Sequence, residues 1–473
     1  MLFNSYDFAL FFGGLFPVYW ILQKWPRLQN LVLLGAGYYF YACWNPKFLL
    51  LLLVSTLGDY GCGILVDRVT GTRVRRAVVA LSMAINLGVL GYFKYYNFFA
   101  ESLQAVLARA GLSIPLRQLE IVLPIGISFY TFQSMSYVID VYRREIKPTR
   151  NLFQFALFVS FFPHLVAGPI MRATTLLPQV ATRRRFSLPR FYEGAYLIFW
   201  GLVEKVVVAD NLAVVVNDLF GRWSTLDGGL ALVAIYAFAF QILGDFSGYT
   251  NMARGVAKCL GFELPLNFNL PYFATSPSEF WNRWHISLSR WLRDYLYIPL
   301  GGNRYGTART YRNLLLTMIL GGLWHGAQWT FVIWGLYHGL LLVLHRLAHP
   351  WLERIEPADP IDRACWTGLR IVVTFHLVCF GWLIFRADSL EQVAGMLAAI
   401  MRRPSIPAAA YLVPVVLTIL PLWLVQLFQF AADDLDVIGR TPWYVRGVFY
   451  TACFYAIVLV GHFGGEQFIY FQF

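Results

Sequence analysis

Most of the chain consists of apolar stretches of roughly membrane-spanning length, separated by shorter polar segments. A helix that crosses the hydrocarbon core of a bilayer needs about 20 mainly apolar residues. Stretches of this kind occur at residues 8–22, 28–43, 47–66, 77–93, 119–141, 191–210, 228–244, 370–385, 408–430 and 444–462. The pattern predicts an all-α, polytopic membrane protein.

Basic residues are concentrated in alternate loops between the first apolar stretches. The first loop carries Lys24 and Arg27, the second only Lys47, and the third Arg68, Arg73, Arg75 and Arg76. Cytoplasmic loops are richer in Lys and Arg than loops on the other side. We therefore expect the N-terminus outside and the odd-numbered early loops in the cytoplasm.

Residues 152–171 are apolar, but a full crossing there conflicts with the charge pattern. The basic stretch that follows, Arg172 to Arg190, would then emerge on the outside. Pro163, Gly168 and Pro169 break the helix, and irregular backbone at membrane depth survives only inside protein or beside a cavity. These features predict a re-entrant segment. His164 at its tip is either a cavity residue or a structural hydrogen-bonding residue.

Other segments depart from the spanning pattern. Residues 101–118 and 388–403 are predicted to be surface helices, the first of them amphipathic and on the outer side. Residues 245–312 are basic and rich in proline, which predicts loops. The final residues 466–473 (EQFIYFQF) are aromatic and nearly uncharged, so we expect them to dock in the membrane or on the helix bundle.

Composition supports the membrane assignment and excludes several other classes. Of the 473 residues, 58% are hydrophobic and 14% are charged, against about 25% charged in soluble proteins. The net charge of +12 is explained by basic loops, so no nucleic-acid partner is predicted. The six cysteines form no CxxC pair, which predicts neither disulfides nor a metal site. The first apolar stretch lacks signal-peptide features and is predicted to be retained.

No internal repeat or interdomain linker is visible, so residues 1–473 are predicted to form a single integral membrane domain. Within it, adjacent Glu204 and Lys205 lie in an apolar stretch. Neighbouring helical side chains point in different directions, so each of the two is predicted to pair with another helix.

The apolar stretch 311–339 contains His325. Arg312 and His325 are separated by 325 − 312 = 13 residues, or roughly 20 Å of helix at about 1.5 Å per residue. This spacing places an imidazole deep in the membrane, where ionisable groups usually line cavities and act there. The alternative is a neutral histidine hydrogen-bonded to a neighbouring helix. His338, about 140° away around an unbroken helix, is predicted to be structural.

His285 is the second histidine of interest, because it follows the aromatic and cationic run Phe280, Trp281, Arg283, Trp284. The chain contains no nucleophile elbow, P-loop, GxGxxG or HExxH motif. A neutral imidazole in a low-dielectric site can accept a proton from a hydroxyl, which suits general-base catalysis.

Long motifs resemble the membrane-bound O-acyltransferase family, and within it the bacterial branch that acetylates alginate. They are GGLWHGAQWTFVIWGLYHG, EFWNRWHISLSRWLRDYLYIPLGGNR, QILGDFSGYTNMARG, LPIGISFYTFQSMSYVIDVYR and FFPHLVAGPIMR. The resemblance implies a ring of tilted helices around a catalytic tunnel. It implies that His325 is the catalytic histidine and His285 the second one, with Asp245 and Asn251 near the tunnel.

Four further residues are expected near the same tunnel: Trp324 and Trp329 as walls, with Trp284 and Arg283. Arg283, Arg290, Arg293 and Arg304 could attract an anionic donor, although cytoplasmic topology explains the same charges.

The resemblance further implies transfer of an acetyl group from a cytoplasmic donor, acetyl-CoA or an acyl carrier, towards hydroxyls of an exported polysaccharide such as alginate. A periplasmic acetylation partner would finish the transfer, and the protein would reside in the bacterial inner membrane without a bound cofactor. The competing hypothesis is a transporter or channel in which buried histidines relay protons. Transporters often carry internal repeats, and none is visible.

Overall fold

A computed structural model describes residues 1–112, 114–463 and 469, and all regular secondary structure in these residues is helical. Within these described residues, seven helical segments are long and apolar enough to cross a membrane: Lys47–Arg68, Thr72–Arg109, Gly228–Cys259, Trp329–Arg354, Pro360–Arg386, Ala409–Ala432 and Trp443–Val460. The prediction of an all-α, polytopic membrane protein is confirmed. The ring of helices, the tunnel and the re-entrant segment stay predictions.

The first ten α-helices lie before residue 203. They are α1 (Tyr6–Ile21), α2 (Pro26–Ala42), α3 (Lys47–Arg68), α4 (Thr72–Leu90), α5 (Tyr96–Arg109), α6 (Ile127–Arg143), α7 (Leu152–Ser160), α8 (Phe162–Leu165), α9 (Ala173–Ala181) and α10 (Leu188–Leu202). A π-helical turn at Gly91–Tyr95 joins α4 to α5, and a 3₁₀ turn at Leu22–Lys24 follows α1.

The remaining helices follow a π-helical segment at Val203–Ala209. They are α11 (Asp210–Gly221), α12 (Gly228–Cys259), α13 (Pro277–Arg283), α14 (Ile286–Leu292), α15 (Thr307–His325), α16 (Trp329–Arg354), α17 (Pro360–Arg386), α18 (Leu390–Arg402), α19 (Ala409–Ala432), α20 (Val437–Arg440) and α21 (Trp443–Val460). A second π-helical segment, Arg293–Tyr297, extends α14, and 3₁₀ turns lie at Trp223–Thr225 and Pro271–Phe273.

Contacts divide the chain into two compact units. The first contains residues 1–198 and 252–265, and the second contains residues 199–251 and 266–473. The single domain that the sequence predicts for residues 1–473 stays a prediction.

Buried polar side chains connect helices within the first unit. Asp59 on α3 accepts hydrogen bonds from Ser82 Oγ (2.6 Å) and Asn86 Nδ2 (2.9 Å) on α4. His164 Nε2 lies 2.9 Å from Gln133 Oε1, and Gln133 Nε2 donates to Phe158 O. Since the amide oxygen of Gln133 can only accept, His164 Nε2 carries the proton. Of the two roles predicted for His164, the structural hydrogen bond is therefore present.

Several predicted boundaries are wrong in this unit. The stretch 119–141 becomes helical only at Ile127, because Gly126 adopts a left-handed φ of 75°. A Cβ at Gly126 would lie 2.6 Å from Leu165 O, so only glycine fits there. The predicted surface helix at 101–118 ends earlier than expected, because the helical segment Thr72–Arg109 stops at Arg109 and Leu112 is not helical. The position of this segment at the outer surface stays a prediction.

The loops predicted at residues 245–259 are wrong, because α12 continues through these residues to Cys259. Polar residues in this stretch mask the helical pattern. The fully buried side chains nevertheless recur at three- and four-residue spacing, within the helix and just after its end. The predicted helix at 388–403 is confirmed as α18. Of the terminal segment 466–473 only Ile469 is described, and its N–H donates to Asp245 Oδ2 at 2.8 Å.

Candidate active site

The unbroken helix assumed for residues 311–339 is wrong, because α15 ends at His325 and α16 begins at Trp329. The two helices form a tightly packed hairpin. A Cβ at Gly322 would overlap Phe331 O, and one at Gly335 would overlap Met318 O. Gly326 is extended (φ −158°, ψ 151°), and its missing side chain leaves room for the Phe331 ring. His325 is thereby held at the last turn of α15, next to the bend.

His285 lies at the junction between α13 and α14. Its backbone adopts φ 42°, ψ 52°, a left-handed conformation that costs energy for a residue with a side chain. Asn267 holds the junction, since its carbonyl accepts from Ile286 N (3.0 Å) and its Oδ1 from Ser287 N (3.1 Å). The side chain is completely buried. Burial lowers the pKa of His285 to about 3, so the imidazole is neutral at pH 7.

The two histidines are brought together. Their ring centroids lie 6.4 Å apart. Trp324 flanks both, with centroid distances of 5.0 Å to His325 and 6.0 Å to His285. The ring of Phe246, from α12, lies 4.7 Å from that of His285 and nearly perpendicular to it. The pair therefore sits among aromatic rings, where water is largely excluded.

Aromatic rings also surround His325 itself. Trp324, Trp334 and Phe385 lie 5.0, 5.1 and 5.4 Å from it, centroid to centroid, and all three are edge-on. His325 is only 4% exposed. The residue is therefore buried but still accessible from a cavity that it lines.

That cavity has a volume of about 520 Å³ and follows one face of α15. The α15 residues that line it, at three- and four-residue spacing, are Leu314, Thr317, Met318, Gly321 and His325. From Leu314 to His325 the rise is about 16 Å at roughly 1.5 Å per residue. The cavity is thus an elongated slot rather than a round chamber.

Residues of α14 and the following π-helical segment form the opposite wall. The lining residues of this wall are Ile286, Leu288, Ser289, Arg290, Leu292, Arg293 and Tyr297. This wall runs antiparallel to α15: His285, just before it, is near His325, whereas Asn313 Nδ2 donates to Leu300 O and Gly302 O beyond its other end. Arg293 and Tyr297 therefore lie towards the Leu314 end of the slot.

The slot is therefore polarised. One end contains an imidazole among aromatic rings, and the wall carries exposed guanidinium groups at Arg290 and Arg293 towards the other end. Arg293 also pairs with Asp294 at 2.6 Å. Such an arrangement can hold an elongated molecule with an anionic group at one end and a reacting group at the other.

Asp245 and Asn251 do not line this cavity. Lys205 Nζ lies 2.7 Å from both Asp245 Oδ1 and Asp210 Oδ1, and Asn251 Nδ2 donates to Glu204 Oε2 at 2.8 Å. The predicted pairing of Glu204 and Lys205 with another helix is confirmed, because Asp245 and Asn251 belong to α12. Phe246, next to Asp245 in the chain, contacts His285, so this network is adjacent to the site.

Four other residues predicted near the tunnel, Arg283, Trp284, Trp324 and Trp329, also lie outside the cavity lining. Arg283 pairs with Glu279 at 2.8 Å. Trp284 is buried against Trp382, with ring centroids 4.7 Å apart. Trp329 is 56% exposed at the start of α16. Of the two tryptophans expected as walls, only Trp324 contacts the histidines.

Sequence reasoning missed Trp334 and Phe385. For the cavity itself the sequence did contain a signal. The lining residues of α15 are three and four positions apart, and such positions share a helix face. Phe385 comes from α17, and no local pattern ties it to His325. Among the described residues no group of three or more His, Cys, Asp or Glu side chains could hold a metal ion. All six cysteines are free.

The chain is similar in sequence to known acyltransferases. The sequence model of the membrane-bound O-acyltransferase family matches residues 142–385. The chain is 46% identical to the "probable alginate O-acetylase AlgI" of Azotobacter vinelandii, over 84% of this chain and 78% of that protein. It is 35% identical to the peptidoglycan O-acetyltransferase of Helicobacter pylori (84% and 79% covered). It is 32% identical to the teichoic acid D-alanyltransferase of Bacillus subtilis (55% and 68% covered).

Proposed function

The chain belongs to the membrane-bound O-acyltransferase family and is a multi-pass membrane O-acyltransferase, and we propose that it transfers acetyl groups from acetyl-CoA towards an exported polysaccharide. The single observation that carries the proposal is the polarised slot, with His325 at one end and Arg290 and Arg293 along the wall towards the other. Alginate is the proposed acceptor, because the relatives with about 45% identity are named for it.

The shape of the slot supports a thioester donor. Acetyl-CoA and acetylated carrier proteins both present the acetyl group at the end of a slender arm, with phosphate at the other end of that arm. In the slot the guanidinium groups would face the phosphate, since Arg binds phosphate through charge-assisted hydrogen bonds. The acetyl group would then reach His325. By the positive-inside rule the arginine end faces the cytoplasm.

His325 is proposed as the general base. Its imidazole takes the proton of the acceptor hydroxyl while the hydroxyl oxygen attacks the thioester carbonyl carbon. As the new C–O ester bond forms and the C–S bond breaks, the imidazolium returns the proton to the leaving sulfur, which departs as a thiol. Atoms and charge therefore balance without another reactant.

His285 is proposed to position and polarise the acyl group rather than to exchange protons. Its pKa of about 3 keeps it neutral at the pH of the cytoplasm. A neutral imidazole carries one N–H that can donate to a carbonyl oxygen. The aromatic surroundings strengthen such a hydrogen bond and exclude the water that would hydrolyse the thioester.

The acceptor side involves other components. We propose a bacterial inner-membrane location and a periplasmic acetylation partner that passes the acetyl group to the polymer. The similarity to acyltransferases along most of the chain decides against the transporter hypothesis, in which the same histidines would relay protons.

The test has two parts. Ester analysis of the exported polysaccharide should show acetyl groups in cells that contain the protein and none in a deletion strain, with restoration by the wild-type gene. Inverted membrane vesicles with acetyl-CoA should release free CoA, and vesicles with His325→Ala should not. Equal polymer acetylation in both strains would contradict the proposal.

A further inference from the structure

We propose that Trp334 limits the donor to very short acyl chains, so that acetyl is accepted and longer acyl groups are rejected. This inference rests on the proposed function, because it assumes that the acyl group lies at the His325 end of the slot. It assigns to Trp334 a role in substrate selection that is separate from the chemistry at His325.

Trp334 both lies close to His325 and lines the cavity. Of the three aromatic rings closest to His325, it is the one found among the cavity-lining residues, because Trp324 and Phe385 lie outside that lining. Its centroid is 5.1 Å from that of His325. An acyl group next to His325 therefore meets the face or edge of this indole.

Packing prevents the indole from moving aside. Trp334 is 1% exposed. Four rings surround it at centroid distances of 4.8 to 6.2 Å: His338 (4.8 Å), Phe385 (5.2 Å), Trp281 (5.7 Å) and Trp382 (6.2 Å). Close-packed interiors respond to added volume with strain rather than with free space. The wall that Trp334 forms is therefore rigid.

The direction of entry sets the length limit. A donor arm held by the arginines enters from the Leu314 end, so the acyl chain is the leading part and points at the Trp334 end. Each additional methylene must then find room between His325 and the indole. One methylene in a tight apolar pocket is worth about 10- to 200-fold in kcat/KM.

The experiment measures CoA release from acetyl-CoA, propionyl-CoA and butyryl-CoA by the full-length protein in inverted membrane vesicles. Vesicles with His325→Ala provide the blank. Wild type should prefer acetyl-CoA over propionyl-CoA by about tenfold or more. Trp334→Phe should weaken this preference and Trp334→Leu should abolish it, because each step removes volume at the wall.

Leu342→Ala is the matched control. Leu342 also lines the slot on α16, two helical turns beyond Trp334 and away from His325. Shortening it should leave the propionyl-to-acetyl ratio of kcat/KM at the wild-type value, whatever happens to the absolute rate. A general loosening of the cavity would instead raise the ratio in this variant too.

Three results would overturn the inference. The first is a wild-type protein that uses acetyl-CoA and butyryl-CoA equally. The second is a well-folded Trp334→Leu protein, monodisperse in detergent, with an unchanged ratio; if that variant does not fold, an unchanged ratio in Trp334→Phe has the same force. The third is the absence of CoA release from every donor with wild type, which overturns the proposed function itself.

Discussion

The imidazole rings of His285 and His325 lie 6.4 Å apart, although one residue caps a short helix and the other ends a long one. Trp324 contacts both rings. This spacing brings both imidazoles close to a group held at His325. It also allows their roles to be separated by substitution, because only His325 lines the slot.

Replacing His325 by Ala should abolish acetyl transfer and leave a folded, membrane-inserted protein. General-base catalysis is typically worth about 10²- to 10⁴-fold. His325→Gln should be nearly as inactive, since an amide forms hydrogen bonds but does not take up the proton. The measurement is CoA release normalised to protein that is monodisperse in detergent.

His349→Gln is the control for that substitution. His349 lies on α16 and its side chain is 57% exposed beside Glu353, so its loss should not change the rate. If His325 were only structural, the order would reverse. His325→Gln would then stay active, and His325→Ala would be lost through poor folding.

His285→Asn should retain partial activity, whereas His285→Ala should lose more. An asparagine amide can still donate a hydrogen bond to the acyl carbonyl, and a methyl group cannot. The measurement is kcat/KM for acetyl-CoA in vesicles. Equal and complete loss in both variants would argue that His285 exchanges protons.

The pH profile provides an independent check on His285. A general base loses activity as the pH falls through its pKa, because protonation occupies its lone pair. Burial lowers the pKa of His285 from 6.5 to about 3, so it stays neutral above that range and adds no inflection between pH 5 and 8. The acid limb of the rate profile should therefore persist unchanged in His285→Asn. Its disappearance would assign the limb to His285.

Replacing Arg290 and Arg293 together by Ala should raise KM for acetyl-CoA about tenfold or more. Hydrogen bonds to charged groups contribute roughly 1.5–3 kcal/mol each, and 1.4 kcal/mol corresponds to a factor of about ten. S-acetylpantetheine, which has the arm without its phosphates, should show the same KM with both proteins. Arg402→Ala, at the exposed end of α18, serves as the charge-matched control. An equal loss with both donors would place the arginines in a structural role.

Gly322→Ala should destabilise the protein by about 1–3 kcal/mol, the usual cost of overpacking. A Cβ at this position would overlap the backbone oxygen of Phe331, so α15 and α16 would have to separate. Thermal unfolding in detergent, followed by tryptophan fluorescence, measures the effect. Gly368→Ala is the control, because nothing lies within 4 Å of a Cβ there. Equal unfolding temperatures in the two variants would contradict the close packing of the hairpin.

A cysteine at Arg185 should react with a membrane-impermeant thiol reagent only after the cytoplasmic side is opened, if residues 152–171 are re-entrant. Arg185 is exposed, whereas the adjacent Arg184 is buried and donates to Tyr19 Oη at 2.7 Å. Arg184 is therefore unsuitable for labelling from either side. The background protein has its native cysteines replaced by serine, and Gln104→Cys serves as the outside control. Ready labelling at position 185 in intact cells would exclude the re-entrant topology.

Much of the helical architecture could be predicted from the sequence, because the physical signal for it is local. A bilayer demands long apolar runs, and basic residues mark their ends. Helices therefore formed where the runs occur, as at Ala409–Ala432 and Trp443–Val460. His325 and His285 could be recognised for a similar reason, since an ionisable group inside an apolar or aromatic stretch stands out along the chain.

The boundaries and the walls of the site were decided by tertiary structure. The sequence did not predict that α15 would end at His325, because the bend depends on close packing of Gly322 and Gly335 against the facing helix. The resemblance implied a position near the tunnel for Asp245, and only the tertiary structure showed that its carboxylate pairs with Lys205 on another helix. Phe385, sixty positions beyond His325 in the chain (385 − 325 = 60), packs 5.4 Å from it. Contacts between segments so far apart depend on how helices pack, and no local pattern of apolar and polar residues encodes that packing.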